Sequence, residues 1–306
     1  VNTKQIIDIG EPDDLIILAG MGRSGTTWVG DIINYDKSYR LLFEPFCPAK
    51  VKEAMGFEYI QYLSPLCINE ILTRQAKTIL MGNIQNDWVD RDNNRELYRR
   101  RIIKDIRCNL MLGWLKKVAN NPPVVLVIRH PLQVVSSWSK LGWGGKESLG
   151  NRSDLDVIMS QESLLNDFPI ISDVIERIDP QDFVQRIVFQ WCIFHLIPSH
   201  HLKKHEAYAL FYENLIIDQD NELIKLFHYL NKLFDRNMLG EAMRKSSSTN
   251  FLCRDFNKEQ SQLLNSWKDE FSTQQIQSAD YILAAFGLND IYDKNGYPTG
   301  AHLFRD

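Results

Sequence analysis

The stretch Leu15-Ile16-Ile17-Leu18-Ala19-Gly20-Met21-Gly22-Arg23-Ser24-Gly25-Thr26-Thr27-Trp28-Val29 changes character twice within fifteen residues. Leu15 to Ala19 is a continuous apolar run, as expected of a strand buried on both faces. Three glycines then punctuate a turn. Beyond them Trp28, Val29, Ile32 and Ile33 recur at helical spacing. Strand, glycine-rich turn and helix is therefore the reading of this segment, and it predicts an α/β fold.

The rest of the chain repeats the alternation. Strands are predicted at Arg40 to Phe43, Arg101 to Ile106, Val124 to Ile128 and Ala207 to Tyr212. Helical patterns are read at 51–81 (broken near Ser64-Pro65), through Leu110 and Leu115, from Pro131, across Leu155 to Lys204, and over most of the remainder to Phe286. Pro131 stands at a favourable first-turn position. Asn120-Asn121-Pro122-Pro123 reads as a turn and Gly142-Trp143-Gly144-Gly145 as a loop. Strands alternating with helices predict a central parallel sheet flanked by helices. With no repeat, low-complexity tract or linker in view, residues 1–306 are expected to form one domain.

Composition sets the outer bounds. Of 306 residues, 44% are hydrophobic and 24% charged, and the formal net charge is −4. Nothing here suggests a nucleic-acid binder or a polybasic membrane partner, so an anion site would have to be built locally. Cys47, Cys67, Cys108, Cys192 and Cys253 lack metal or redox spacing and suit buried thiols in a reducing compartment. No apolar run reaches transmembrane length and no signal-peptide pattern opens the chain, which gives the cytoplasm as the expectation. The sequon Asn151-Arg152-Ser153 is a triplet that often arises by chance. Oligomeric state is left open.

Gly20-x-x-x-x-Gly25-Thr26-Thr27 has the frame of a nucleotide-binding P-loop, whose amides cradle an anion beside a helix N-terminus. Thr26 occupies the position where an NTPase carries lysine; the cation has moved upstream to Arg23. The strand ending at Ile128 continues into Arg129-His130, where many P-loop enzymes place a magnesium-binding aspartate. Both changes point to an anion held by protein cations, so no metal is expected, although Asp105 beside another strand keeps magnesium open. Arg129 and Ser137 are eight residues apart, about two turns, so both can serve a second anion site at the junction opened by Pro131. Two anion sites on one sheet suit a bisphosphorylated nucleotide.

Gly22-Arg23-Ser24-Gly25-Thr26-Thr27-Trp28 resembles the 5'-phosphosulfate loop of sulfotransferases that use 3'-phosphoadenosine-5'-phosphosulfate (PAPS). Arg129 through Ser137 resembles their 3'-phosphate motif. Leu42-Phe43-Glu44-Pro45 resembles the Glu-Pro segment of the carbohydrate and bacterial branch, Ile103-Lys104-Asp105-Ile106-Arg107 the next core strand, and Phe211-Tyr212-Glu213-Asn214-Leu215 the Tyr-Glu-Asp segment near adenine. Motif-level resemblance spans about Leu15 to Phe251. It departs from the cytosolic small-molecule branch: Ile106 stands where that branch has its catalytic histidine. The C-terminal Arg-Lys-Gly segment is also uncopied, with Arg254 and Ser266-Trp267-Lys268 as imperfect substitutes.

The resemblance implies transfer of a sulfuryl group from PAPS to an acceptor hydroxyl or amine by in-line displacement, releasing PAP. Cytoplasmic character and one compact domain favour a small-molecule acceptor, with glycans, carrier-bound polyketide chains and tyrosyl peptides left open. Arg23, Ser24, Gly25, Thr26 and Thr27 would hold the phosphosulfate, and Arg129 and Ser137 the 3'-phosphate. Trp28, Tyr212 and Phe251 would pack near adenine, with Arg254 completing the site. Catalytic roles fall to Arg23, to Lys104 at the bridging oxygen or sulfuryl group, and to Glu44 as base. Burial by Phe43 and Phe46 is expected to raise the Glu44 pKa. Glu44 as a salt-bridge partner or substrate-orienting group is the competing reading, and His195 and His130 are rival bases. His195 reads first as a core histidine, and His200, His201 and His205 as a solvated helix end. The Trp143 loop and the 51–81 insert are expected to shape the acceptor pocket. The alternatives are a P-loop kinase or NTPase, which would need magnesium, and a non-catalytic PAPS/PAP-binding module.

Overall fold

The computed structural model describes residues 5–144, 153–233, 235, 264–300 and 303–304. In chain order the elements are β1 (Ile7–Asp8), β2 (Leu15–Gly20), α1 (Thr26–Ile33), β3 (Tyr39–Phe43), α2 (Glu70–Leu80), β4 (Leu97–Tyr98), β5 (Arg100–Asp105), α3 (Leu112–Val118), β6 (Val124–Ile128), α4 (Pro131–Leu141), α5 (Asp154–Met159), α6 (Glu162–Asp167), α7 (Ile170–Ile175), α8 (Phe183–His201), β7 (Ala207–Phe211), α9 (Asn214–Ile217), α10 (Gln219–Tyr229) and α11 (Thr273–Ala285). Five strands form the central sheet in the order β3-β5-β2-β6-β7, every pair parallel. The two-residue strands β1 and β4 pair separately; sequence reading missed both, since so short a run carries no periodicity.

The apolar strands explain the layers. Leu15, Ile17 and Ala19 of β2 join one core with α3, α4 and α8, whereas Ile16 and Leu18 join the other with α1 and α10. β6 divides in the same way, Val124, Leu126 and Ile128 against Val125 and Val127. Period-two alternation with both faces apolar is what a covered parallel sheet requires. Helix α8 is buried on nearly all sides, which accounts for its lack of a polar face.

Register brings the strand ends level. Phe43 pairs with Lys104, Ala19 with Asp105, Gly20 with Val127 and Ile128 with Phe211. Every segment singled out in the sequence thus leaves the sheet at one edge, the C-terminal one. The chain runs from central β2 outward to β3, fills in β5, then crosses to β6, so the strand order reverses at β2. Ligands bind at such switch points in open α/β sheets.

The opposite edge is fastened by buried ion pairs. Arg40 at the start of β3 donates from Nε and Nη2 to Asp90, at 2.8 Å each, and to the carbonyls of Gly82 and Ile84. Arg101 donates to Asp8 at 2.9 and 3.2 Å and to the Gly10 carbonyl. These groups set the β3–β5 edge.

Two expectations are corrected. Residues 51–81 are not mostly helical: a single turn at Lys52–Ala54 and α2 are the helices there, with irregular chain between. Asn69 caps α2 by accepting from the Leu72 amide, which fixes its late start. The helix end at 200–205 is not uniformly solvated either. His201 is half-buried against Tyr62 and Phe168, and burial lowers its pKa to about 4.

Candidate active site

The glycine loop takes the shape its residues permit. Arg23 (φ 73°) and Gly25 (φ 98°) are left-handed, and Gly25 is the N-cap of α1 without any side chain capping the helix. Its first-turn amides therefore face the open sheet edge, where an anion is favoured. Gly25 is required for a second reason: a Cβ there would stand 2.7 Å from Cδ2 of Tyr212. Ser24 is fully buried and its hydroxyl has no hydrogen-bond partner. Thr26 is buried and Thr27 half-buried.

Arg129 leaves β6 toward this loop. Its Nη1 donates to the Arg23 carbonyl at 3.1 Å and its Nε to Gln133 at 2.9 Å. Its guanidinium lies 4.5 Å from the centre of the Tyr212 ring. Arg23 in turn donates from Nε to the Ser137 hydroxyl at 3.0 Å. The sequence placed Arg23 in one anion site and Ser137 in another; the fold joins them. Burial, and then the neighbouring Arg129, lower the Arg23 pKa. Two guanidiniums so close together create a strong positive field at the loop. Trp28 meets Tyr212 edge to face, with ring centres 5.6 Å apart.

Several supports were not legible in the sequence. Gln133 holds Arg129 and donates to the Leu264 carbonyl; its i+4 spacing from Arg129 was the available signal. The Trp191 indole donates to the Arg129 carbonyl at 2.9 Å. Glu213, fully buried, accepts from the His130 amide and the Tyr292 hydroxyl, at 2.9 Å each, and so ties the ends of β6 and β7. Trp267 stacks on the His130 ring at 4.4 Å, which brings the neighbouring Lys268 near enough to act on the charge of His130. Phe251, Cys253, Arg254 and the first two residues of the Asn151 sequon lie outside the described residues.

The second half of the site is a buried charge chain. Glu44 leaves β3 in a left-handed conformation (φ 45°), a sparsely populated one for a residue with a side chain. Its Oε1 accepts from Lys104 Nζ at 2.8 Å and its Oε2 from Arg107 Nη1 at 2.6 Å. Arg107 Nη2 donates to the Tyr59 hydroxyl at 2.7 Å. Lys104 also lies 4.2 Å from the centre of the Phe43 ring. Asp105 spends its two oxygens on the amides of Phe46 and Arg107, so it shapes the loop after β5.

The expected rise in the Glu44 pKa does not occur. Burial does oppose ionisation, but Lys104 and Arg107 outweigh it and hold the carboxyl below its ordinary value. Phe43 and Phe46 supply the apolar wall that sequence reading saw; the second cation, Arg107, is what it did not weigh. The two rival histidines, His130 and His195, are poorly placed to titrate near neutrality. Burial, with Lys268 and Arg129, lowers His130 to about 3. Burial lowers His195 to about 4, while its Nδ1 meets the Trp191 carbonyl at 2.6 Å. Among the described residues no group of His, Cys, Asp and Glu is arranged to hold a metal, and no helix there is long and apolar enough to cross a membrane.

Residues 12–285 match the model of the sulfotransferase domain family. The chain belongs to the sulfotransferase family. Glycine loop, paired arginines and the Glu44–Lys104 pair thus stand at the sheet edge of a sulfotransferase, an enzyme whose sulfuryl donor is PAPS. No curated protein sequence matches the chain. Among solved structures it is similar to mouse sulfotransferase SULT7A1 complexed with PAP, at 14% identity over 92% of this chain and 85% of that one, with a TM-score of 0.49. The sulfotransferase domain from the curacin biosynthetic pathway gives 15%, 91%, 98% and 0.49. Sulfotransferase STF9 from Mycobacterium avium gives 14%, 89%, 75% and 0.44.

Proposed function

We propose that this sulfotransferase binds PAPS across the C-terminal edge of its sheet and transfers the sulfuryl group to a small-molecule hydroxyl or amine, with Glu44 as base and Lys104 at the leaving oxygen. The first-turn amides of α1, Ser24, Thr26 and Thr27 take the phosphosulfate. Arg129, Ser137 and Arg23 take the 3'-phosphate side, and Trp28 and Tyr212 border the adenine. The buried, unpartnered Ser24 hydroxyl and the close pair of guanidiniums fit an anionic donor. Glu44 in the segment after β3, with Ile106 at the position of the cytosolic branch's histidine, aligns the enzyme with the Glu-Pro branch. We take the chain as one catalytic domain acting in the cytoplasm.

The observation that carries the reading is the 2.8 Å contact of Glu44 with Lys104 at the same sheet edge as the glycine loop. Sulfuryl transfer, like phosphoryl transfer, needs alignment and cations where charge grows on the leaving oxygen. The acceptor proton passes to Glu44 as its oxygen or nitrogen bonds to sulfur, and the bond from sulfur to the phosphate oxygen breaks beside Lys104. In the free enzyme Glu44 is a weak base because both cations are on it. A bound donor competes for Lys104, and release of that ammonium raises Glu44 toward a useful basicity.

The test is PAP formation from PAPS with a panel of small alcohols and amines. Wild-type enzyme should turn over at least one of them. Lys104→Ala and Glu44→Gln should each lower kcat roughly 100-fold or more while PAP still binds. PAP binding without turnover of any acceptor, unchanged by either substitution, would favour the non-catalytic module.

A further inference from the structure

The two cations on Glu44 are anchored very differently. Lys104 covers Oε1 at 2.8 Å and Arg107 covers Oε2 at 2.6 Å. Lys104 carries a compact charge on a flexible stem, and among the described residues Glu44 is the side chain to which it donates. Arg107 is a planar fork engaged at both prongs, Nη1 on Glu44 and Nη2 on the Tyr59 hydroxyl at 2.7 Å. Its guanidinium also lies 4.4 Å from the centre of the Tyr59 ring, and its backbone amide donates to Asp105 at 2.7 Å. Its Nε is buried without a hydrogen-bond partner, so Glu44 and Tyr59 are the groups that fix the guanidinium.

Tyr59 is itself braced. Gln161, between α5 and α6, donates to the Ile60 carbonyl at 2.8 Å and accepts from the Tyr62 amide at 2.7 Å. The Tyr62 hydroxyl donates to Asp167 of α6 at 2.5 Å, so the segment carrying Tyr59 is stitched to two helices. The other charged and titratable groups around Glu44 are engaged elsewhere. Asp105 accepts from the amides of Phe46 and Arg107. Burial pushes the Cys47 thiol up, which keeps it neutral near neutrality. Arg91 lies 3.2 Å from the centre of the Phe43 ring and pairs with Asp92. Asp154 of α5 acts on Arg107 and Tyr59.

We infer that Arg107, braced by Tyr59, is the positioning residue that keeps Glu44 in place through Oε2 when Lys104 turns to the donor, and that Oε1 is the atom that takes the acceptor's proton. A carboxylate oxygen must be uncovered before it can act as a base. Of the two partners, Lys104 has the mobile stem and no second side-chain hydrogen bond among the described residues, so Oε1 is the oxygen that is freed. The proton then passes to Oε1 as the acceptor oxygen or nitrogen bonds to sulfur and the phosphate oxygen leaves beside Lys104. Arg107 still faces the neutral carboxyl and favours its ionised form, so the proton is shed to solvent and the base is reset. Without Arg107, donor binding would strip Glu44 of its last cation, and the wall of Phe43 and Phe46 would favour the neutral acid.

This rests on the sulfotransferase site proposed above, and its test separates the two. Enzyme carrying glutamate isotopically labelled at its side-chain carboxyl carbon is titrated by NMR, free and saturated with PAP, and the Glu44 resonance is assigned by its loss in Glu44→Gln. In the free wild-type enzyme Glu44 should titrate below the ordinary glutamate midpoint of about 4.3, and PAP should raise that midpoint. In PAP-saturated Arg107→Met the midpoint should stand about one pH unit or more above that of PAP-saturated wild type. Tyr59→Phe should move it the same way by less, and Arg107→Lys should bring it back toward wild type. The rise on adding PAP should persist in Arg107→Met and be mostly lost in Lys104→Met. PAP affinity, read by calorimetry, should stay within about twofold in Arg107→Met and Tyr59→Phe. With PAP bound, no rise in wild type, a midpoint unmoved in Arg107→Met or Tyr59→Phe, or a rise kept in Lys104→Met and lost in Arg107→Met overturns the inference with the donor site intact. Failure of the wild-type enzyme to bind PAP overturns the underlying reading instead.

Discussion

Replacing Glu44 with Gln removes one negative charge from between two buried cations. In the wild-type protein the Glu44 side chain is 8% exposed and those of Lys104 and Arg107 are 3% and 11% exposed. The contacts are 2.8 and 2.6 Å. A glutamine still accepts from one cation but turns an NH2 toward the other, so at least one cation is left without an anion. Breaking a buried pair by removing one partner costs about 3–5 kcal/mol. At roughly 2 °C of Tm per kcal/mol for a chain of this size, Tm should fall by roughly 5–10 °C. The pH dependence fixes the cause. A carboxyl whose folded pKa lies below its unfolded value, about 4.3, stabilises the protein above that unfolded value and ceases to do so as pH falls through the folded one. The difference in Tm between wild type and Glu44→Gln should therefore be full at pH 6–7 and shrink below about pH 4. Scanning calorimetry from pH 3 to 8 reads both. A Tm within 1 °C of wild type at neutral pH, or a difference independent of pH, would refute the charge-chain account.

Four other outcomes follow from the same geometry. Gly25→Ala forces a Cβ against Tyr212 in a left-handed backbone; a cost of roughly 1–3 kcal/mol and at least tenfold weaker PAP binding are expected by calorimetry. Arg40→Leu strands Asp90 at the far sheet edge, while Arg101 still holds Asp8, so it should lower stability by about 3–5 kcal/mol in denaturant melts, yet leave PAP affinity of the folded fraction unchanged. His130 and His195 are neutral when folded, with pKa values near 3 and 4, below the unfolded value of about 6.5. They contribute stability above that unfolded value and lose it as pH falls toward the folded ones, so His130→Gln should flatten the acid limb of a stability–pH curve between about pH 6 and 4. For the same reason the kcat–pH profile should show no inflection from either histidine between about pH 5 and 8.

The parallel sheet was readable because β2 and β6 are unbroken apolar runs, and the glycine loop because Gly20, Gly25 and the α1 pattern stand within one short segment. Arg129 was singled out from its place at a strand end, and Glu44 and Lys104 from the family resemblance; the fold brings the latter two into contact. What the sequence could not show is contact across the chain. Ser137 and Arg23 are separated by 114 residues and share a hydrogen bond; Tyr59 and Arg107 are separated by 48. No local period encodes such meetings, and the Glu44 pKa was misjudged for that reason. The 51–81 segment misled because scattered apolar residues under an irregular chain mimic helical spacing.

Titration of PAP into the enzyme in the presence of EDTA, with ATP and magnesium as the parallel titrant, tests the donor site most directly. PAP should bind without metal, and Arg129→Ala should weaken it roughly 10- to 100-fold, as loss of a charged hydrogen-bonding group does. Binding of ATP only with magnesium, and none of PAP, would contradict the account and return the chain to the kinase-like reading.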